Sequence, residues 1–187
     1  MDILRPIESA VLLFLQGLRN PVTDPIMTFF SIPANYGIVW IVLALILLCV
    51  KKTRMAGLSL ALCLIASLLV NNILLKPLVA RPRPFNEIAG LRLMLEPGLA
   101  NVSGWSFPSG HTGASFSAAY SLTRSYGKKG AWVYAVAVLI AFSRLYIGAH
   151  YPTDVLAGMV TGTLGAVLAV FLLHRAVRAL RARRSRN

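Results

Sequence analysis

The sequence predicts an all-α, polytopic integral membrane protein: a helical bundle of five transmembrane helices plus an N-terminal amphipathic helix, for which a sixth span is the alternative. Three observations carry this. Of 187 residues, 57% are hydrophobic and only 13% charged, with a mean hydropathy of +0.69, whereas a soluble domain carries about a quarter charged residues. At about 20 residues per crossing, the length accommodates five or six spans with short loops and leaves no room for a second soluble domain. Basic residues fall in clusters between the apolar stretches, the pattern that marks cytoplasmic loops. The same composition excludes a disordered, collagen-like or disulfide-stapled chain. Residues 1–187 are expected to form one membrane domain, with 1–25 an amphipathic segment, 80–108 an extracytoplasmic loop and 174–187 a basic cytoplasmic tail.

Residues 2–19 read as an amphipathic helix. At about 100° per residue, Arg5, Glu8, Ser9, Gln16 and Arg19 share one arc, and Leu4, Ile7, Val11, Phe14, Leu15 and Leu18 another. Leu12 intrudes on the polar arc. Such a helix is short for a crossing and suits the membrane interface. Asn20-Pro21 ends it. The N-terminus lacks an ordered basic region, apolar core and cleavage site, so no cleavable signal peptide is expected. The first span lies between Met27 and Val50 and stops at Lys51-Lys52-Thr53-Arg54. The second covers Ala56 to Val79, with Asn71, Asn72 and Lys76 near its far end. Residues 80–108, holding Pro82, Pro84, Pro97 and Pro108, form the long loop. Three further spans follow, about Gly110 to Ser125, Gly130 to Gly148 and Pro152 to Leu173, with a Gly127-Lys128-Lys129-Gly130 turn between the first two. Cys49 and Cys63 both lie in apolar runs and read as small buried hydrophobes with no disulfide or metal.

Charge orients the bundle. With five spans, Lys51, Lys52, Arg54, Arg124, Lys128, Lys129, Arg175, Arg178, Arg181, Arg183, Arg184 and Arg186 share one side, where no acid occurs. That side is expected to be cytoplasmic, so the N-terminal helix and the 80–108 loop face outward. The formal charge of +13 and pI near 10.7 would suggest nucleic acid in a soluble protein. Here the dense basic end suits anionic lipid headgroups, and no nucleic-acid partner is expected. Trp40, Trp105 and Trp132 sit near span ends and read as interfacial anchors, and Asn71 and Asn72 as hydrogen-bonding partners between helices.

Ionisable groups at membrane depth are costly and usually functional. Lys76, Arg81, Arg83, Ser109, His111, Arg144, His150 and Asp154 come from four separate stretches, yet the topology sends all of them to the outward end. Fixed cations outnumbering one acid describe an anion site, and guanidinium forks suit phosphate oxygens. Pro108-Ser109-Gly110-His111 opens a helix, whose free N–H groups favour phosphate. Two histidines on different segments can divide nucleophile and acid duties, and Asp154, four residues after His150, can hold its ring. Taken singly, Lys76 and Arg144 also fit snorkelling residues, His111 a structural polar group, and Asp154 an acid favoured by a helix dipole.

Lys76-Pro-Leu-Val-Ala-Arg-Pro-Arg83-Pro84, Pro108-Ser109-Gly110-His111 and Ser143-Arg144-Leu-Tyr-Ile-Gly-Ala-His150-Tyr-Pro-Thr-Asp154 match K-x6-R-P, P-S-G-H and S-R-x5-H-x3-D. In order and spacing they resemble the tripartite signature of the type-2 phosphatidic acid phosphatase superfamily, membrane lipid phosphatases related to vanadium haloperoxidases. The resemblance implies that His150 is the nucleophile, forming a phosphohistidine, with Asp154 orienting it. It makes His111 the acid that protonates the departing oxygen and then helps to activate water. Lys76, Arg83 and Arg144 would bind the phosphoryl oxygens with Ser109 and the Gly110 N–H; Arg81, a second arginine inside the first motif, is open between a phosphate and a headgroup contact. No metal or cofactor is implied.

The expected activity is metal-independent hydrolysis of the terminal phosphate of a lipid phosphate or diphosphate at the outer face of a bacterial-type cytoplasmic membrane. Undecaprenyl diphosphate leads, on the strength of the family's roles, followed by phosphatidylglycerol phosphate and phosphatidic acid, with lipid A 1-phosphate as a further alternative. The rival from another class is a carrier or flippase that binds phosphate headgroups without hydrolysis; it gives no reason for two histidines and a spaced aspartate. The bilayer and a lipid phosphate are the expected partners. Oligomeric state is not legible.

Overall fold

Long runs of Leu, Ile, Val and Ala specify helix in a bilayer, because each backbone N–H and C=O must find its partner within the segment. The computed structural model of the chain describes residues 2–102 and 104–184, and among these it is helical throughout with no strand. In chain order the helices are α1 (Arg5–Gly17), α2 (Thr23–Ser31), α3 (Ile38–Cys49) and α4 (Arg54–Ser67); α4 continues through a π-helical stretch, Leu68–Leu75, into α5 (Lys76–Val79). Short α6 (Pro84–Glu87) and α7 (Pro97–Ala100) punctuate the loop, followed by α8 (Gly110–Tyr126), α9 (Lys128–Ala131), α10 (Val133–Tyr146) and α11 (Pro152–Arg184).

Among the described residues, three segments are long and apolar enough to cross a membrane: Arg54–Glu87, Lys128–Tyr146 and Pro152–Arg183. The pair Thr23–Ser31 and Asn35–Cys49, bent by 47°, makes a fourth if taken as one span. The expected third span, α8, has 17 residues and is not one of them. Its composition explains why: α8 packs against α4, α10 and α11, so protein surrounds it. Ser115, Ser117, Ala118, Ala119 and Ser121 are fully buried there, small residues that let backbones approach closely. The approach to α11 is close: a Cβ on Gly162 would fall 2.3 Å from the Gly113 carbonyl oxygen. A core of Trp40, Ala44, Leu60, Leu122, Ala137 and Ile140 fills the space between α3, α4, α8 and α10.

Four expectations change in detail. The first span is not one helix. Proline lacks the N–H that would continue the ladder, and after Pro33 the backbone turns through positive φ at Tyr36 (54°) and Gly37 (71°). Trp40 is no anchor: it is 4% exposed, and its indole N–H donates to Ser115 Oγ at 3.0 Å. Trp105 and Trp132 do stand at the surface. The basic end is the continuation of α11 rather than a separate tail through Arg184, because its Ala, Leu and Arg residues are good helix formers; Arg186 lies outside the described residues. Cys63 is buried as expected, but Cys49 is exposed, and both are free thiols.

The N-terminal helix turns its faces opposite to those of a soluble one. Ile3, Ile7 and Phe14 point outward, whereas Glu8 and Leu12 are buried against the bundle. Leu12, the residue that interrupted the polar arc, packs on Leu91 and Tyr151. Gln16 and Arg19 bond to backbone carbonyls of Gly90, Arg92 and Tyr146. With 13 residues, α1 spans about 20 Å at 1.5 Å per residue, too short to cross a hydrocarbon core of about 30 Å. An outward apolar face on a helix of this length suits the interface.

Candidate active site

Alternating helix directions bring the ends of α5 and α10 and the starts of α8 and α11 to one end of the bundle. Lys76 begins α5. Ala80, at φ 47°, ends it, and Pro82 and Pro84 hold the following chain extended, so Arg81 and Arg83 leave the helix axis in different directions. Cross-links fix the assembly: Ser106 N donates to Arg81 O (2.8 Å), Ser109 N to Asp154 O (3.0 Å) and Ala149 N to Arg144 O (3.1 Å).

His150 lies between α10 and α11 and is 1% exposed. Arg83 Nη1 stands 3.1 Å from His150 Nε2 and also donates to Ala149 O at 2.9 Å, while its Nε donates to Gly104 O at 3.2 Å. A guanidinium has no acceptor, so in the pair Nε2 offers its lone pair and the neutral ring carries its proton on Nδ1. Burial first, and then the charges of Arg83, Arg144 and Lys76, push the His150 imidazole well below its ordinary range, which keeps it neutral. Its Nδ1 is buried without a hydrogen-bond partner; Asp154 Oδ2 is 3.6 Å away, beyond hydrogen-bond length. The Asp154 carboxylate is held elsewhere: Oδ2 accepts from Ser106 Oγ and from Tyr151 N (2.8 Å), and Oδ1 from Arg81 Nη1 (2.8 Å).

His111 opens α8 and is 8% exposed. Its Nε2 is 2.8 Å from Asn35 Oδ1, and the Asn35 amide nitrogen donates to Leu99 O at 2.8 Å. That second bond orients the amide so that its oxygen faces the ring. Nε2 therefore carries a proton, and Nδ1 is the nitrogen left to gain or lose one. Lys76 Nζ donates to Trp105 O at 3.1 Å.

A cavity of about 510 Å³ joins these groups. Lys76, Arg83, Asn101, Gly110, His111 and His150 line its polar end, and it descends between α3 and α4 along Ile41, Leu45, Leu48, Leu64 and Leu68. The sequence-derived set thus divides. Lys76, Arg83, Gly110, His111 and His150 line one chamber, and Asp154 stands behind His150. Arg144 is fully buried, with Nη1 on Ser31 Oγ (2.6 Å), Nη2 on Ala100 O, and Nε without a partner. Ser109 caps α8, its hydroxyl oxygen accepting from Thr112 N at 3.5 Å and from Thr112 Oγ1 at 2.9 Å. Arg81 turns away from the chamber, its guanidinium pairing with the Asp154 and Glu8 carboxylates. Asn71 bonds to Ser67 and Thr161, as an inter-helix partner should, whereas Asn72 lines the cavity. Among the described residues no group of three or more His, Cys, Asp or Glu side chains is placed to hold a metal.

Sequence reasoning missed Asn35, Ser106, Ser31 and Glu8. Asn35 carried one signal, a polar residue following Pro33 inside an apolar run. Glu8 carried no signal beyond its place on the polar arc of the N-terminal helix.

The family model described as PAP2 superfamily matches residues 56–178, a stretch that holds all three motifs. The chain is 30% identical over 190 residues to the lipid A 4'-phosphatase of Bacteroides thetaiotaomicron, covering 94% of this chain and 80% of that one. It is 34% identical over 149 residues to the undecaprenyl-diphosphatase of Sulfolobus acidocaldarius, covering 78% of this chain and 68% of that one. Its fold is similar to the crystal structure of Aquifex aeolicus LpxE, with a TM-score of 0.72 and 27% identity over 86% of this chain and 93% of that one. The transmembrane PAP2-type phosphatidylglycerolphosphate phosphatase of Bacillus subtilis is equally similar, at TM-score 0.72 and 26% identity over 94% of this chain and 88% of that one.

Proposed function

The chain belongs to the PAP2 superfamily, a family of membrane lipid phosphatases, and from that premise we propose that it hydrolyses the terminal phosphate of a lipid phosphate or diphosphate through a phosphohistidine at His150. The observation that carries this reading is one continuous cavity, with a cationic chamber holding both histidines at one end and an apolar cleft between α3 and α4 at the other. A headgroup phosphate suits the chamber, and a hydrocarbon chain suits the cleft.

The steps follow from the groups present. Lys76 and Arg83 hold the phosphoryl oxygens and offset the charge of the transition state. His150 Nε2, whose lone pair Arg83 already orients, attacks phosphorus and forms a P–N bond. The P–O bond to the lipid breaks, and His111, which takes up a second proton on Nδ1 as the anionic headgroup enters beside it, gives that proton to the departing oxygen. The positive charge that develops on the His150 ring is met by Asp154, beside Nδ1. His111, now neutral, takes a proton from water; the water oxygen attacks phosphorus, the P–N bond breaks, and inorganic phosphate leaves. The Gly110 N–H, at the start of α8, adds to the oxyanion field. Arg144 acts from behind the chamber wall, where its buried charge adds to the positive field and its bonds tie α10 to α2 and α7.

Undecaprenyl diphosphate is the substrate we favour, since relatives named undecaprenyl-diphosphatases share 34% and 32% identity with this chain. Relatives named for lipid A and phosphatidylglycerolphosphate make those lipids the alternatives. Purified protein in detergent with excess EDTA should release phosphate from undecaprenyl diphosphate faster than from phosphatidylglycerol phosphate, phosphatidic acid or a lipid A phosphate. A different ranking would reassign the substrate. Binding of phosphate lipids without turnover on any of them would move the protein to the carrier class.

The chamber end is proposed to face outward from the cytoplasmic membrane, because the clusters at Lys51–Arg54, Arg124–Lys129 and along the last turns of α11 occupy the opposite end. A single cysteine placed at Trp105, in a variant lacking Cys49 and Cys63, should be labelled by a membrane-impermeant maleimide in intact cells. Labelling only after lysis would invert the topology.

A further inference from the structure

Glu8 is the group that the reaction leaves unused. It sits on α1, 3% exposed, far in sequence from the three motifs, and its Oε2 pairs with Arg81 Nη2 at 2.5 Å. Arg81, 8% exposed, spends its other terminal nitrogen on Asp154 Oδ1 (2.8 Å) and Thr153 Oγ1 (2.7 Å). Thr153 in turn donates to Glu8 Oε1 through its hydroxyl and through its backbone N–H at 3.1 Å. The Tyr151 ring lies under the guanidinium, 3.7 Å from its carbon to the ring centroid. The result is a buried chain, Glu8 to Arg81 to Asp154, that ends beside His150 Nδ1.

We propose that Glu8 and Arg81 are positioning residues for the reaction, holding the Asp154 carboxylate in place and preserving its net negative charge toward His150. This rests on His150 being the nucleophile. A rigid fork can hold two carboxylates in fixed planes at once, which an ammonium cannot. With Arg81 on Oδ1, Oδ2 is turned toward Tyr151 N and the imidazole. The charge count supplies the second half of the argument. Glu8, Arg81 and Asp154 together carry one negative charge, available to the His150 ring as it becomes cationic. Without the Glu8 charge, the Arg81 guanidinium is opposed by Asp154 alone and the group presents none. The interface helix α1 thereby completes the active site, although no residue of it reaches the chamber.

The experiment compares wild type, Glu8→Gln, Arg81→Lys, the double variant and His150→Ala, all purified in detergent and assayed for phosphate release on the lipid that the wild type turns over fastest. Glu8→Gln and Arg81→Lys should each lower kcat by about ten- to a hundredfold, the range in which partners that orient an active group act, with KM within about twofold. The double variant should be no worse than the poorer single one, because residues acting through one chain are not additive. A purely anchoring role for α1 predicts instead a lowered Tm with kcat per folded molecule unchanged, and that result overturns the proposal, as does strict additivity. If Glu8→Gln does not fold, Arg81→Lys alone decides by the same kcat and KM criteria. Retained activity in His150→Ala would mean that the nucleophile assignment had failed, which is distinct from a dead His150→Ala beside an undiminished Glu8→Gln.

Discussion

His150→Ala will release phosphate at no more than about 10⁻⁴ of the wild-type rate, the order of loss that follows removal of a nucleophile from a concerted site, and will form no phosphoenzyme that survives an alkaline quench. The substitution leaves the cations in place, since Lys76 rests on Trp105 O and Arg83 keeps its bonds to Ala149 O and Gly104 O. Lipid phosphate should therefore still bind, with an affinity near the wild-type value. Rapid quench of the wild type with a substrate labelled in its terminal phosphate should trap an acid-labile, base-stable protein phosphate, the behaviour of a P–N bond. A variant that turns over within about a hundredfold of wild type would show that water attacks directly, with the cations alone supplying the catalysis. The neutral state of His150 matters to the size of this effect. Burial and three neighbouring cations depress its protonation, so at neutral pH essentially every molecule has its Nε2 lone pair available, and the loss on substitution is not diluted by an inactive protonated fraction.

The chamber was legible in the sequence because its residues are anomalous there. Lys76, Arg83, His111 and His150 are charged or titratable side chains at the ends of apolar segments, and bilayer solvation does not explain why they converge. The bend between α2 and α3 was less visible, since Pro33 and Gly37 mark a break but cannot say whether a span kinks or ends. The central helix α8 was read correctly in extent, yet its role was not: Ser115, Ser117 and Ser121 look like weak membrane residues until three neighbouring helices are seen around them. Trp40 misled for the related reason that an aromatic near a span end is an anchor only if it faces lipid. What remained hidden was the layer behind the motif residues. Asn35 on His111, Ser106 on Asp154 and Glu8 on Arg81 are partners far apart in the chain, and no periodicity links them to the groups they hold. Arg144 carries the same lesson in reverse. Its motif position marks it for phosphate, while its bonds to Ser31 and Ala100 place it one step back from the chamber.

Asp154→Asn will lower kcat by about 10³- to 10⁴-fold, the scale seen when a carboxylate that holds a catalytic histidine loses its charge, with KM nearly unchanged. Asp154 is fully buried and does not line the chamber, so substrate binding does not depend on it. Its surroundings are all donors: Arg81 on one oxygen, Ser106 Oγ and Tyr151 N on the other, and the Nδ1–H of His150 beyond them. A carboxylate serves every one of these. An asparagine has one oxygen and one NH₂ group, so whichever way the amide turns, N–H must face a donor, and one buried group on that side loses its partner at a cost of about 1–3 kcal/mol. The amide also brings no negative charge to the imidazole as it becomes cationic, so formation of the phosphohistidine slows. Arg81 retains Glu8 as counter-ion, which is why the variant should fold and show a lowered Tm rather than fail to assemble. Single-turnover assays will separate the two halves of the reaction, with slower phosphoenzyme formation as the larger defect. A kcat within about tenfold of wild type would mean that the 3.6 Å separation between Asp154 and His150 persists during turnover and that the aspartate serves only the packing of α11 against the loop.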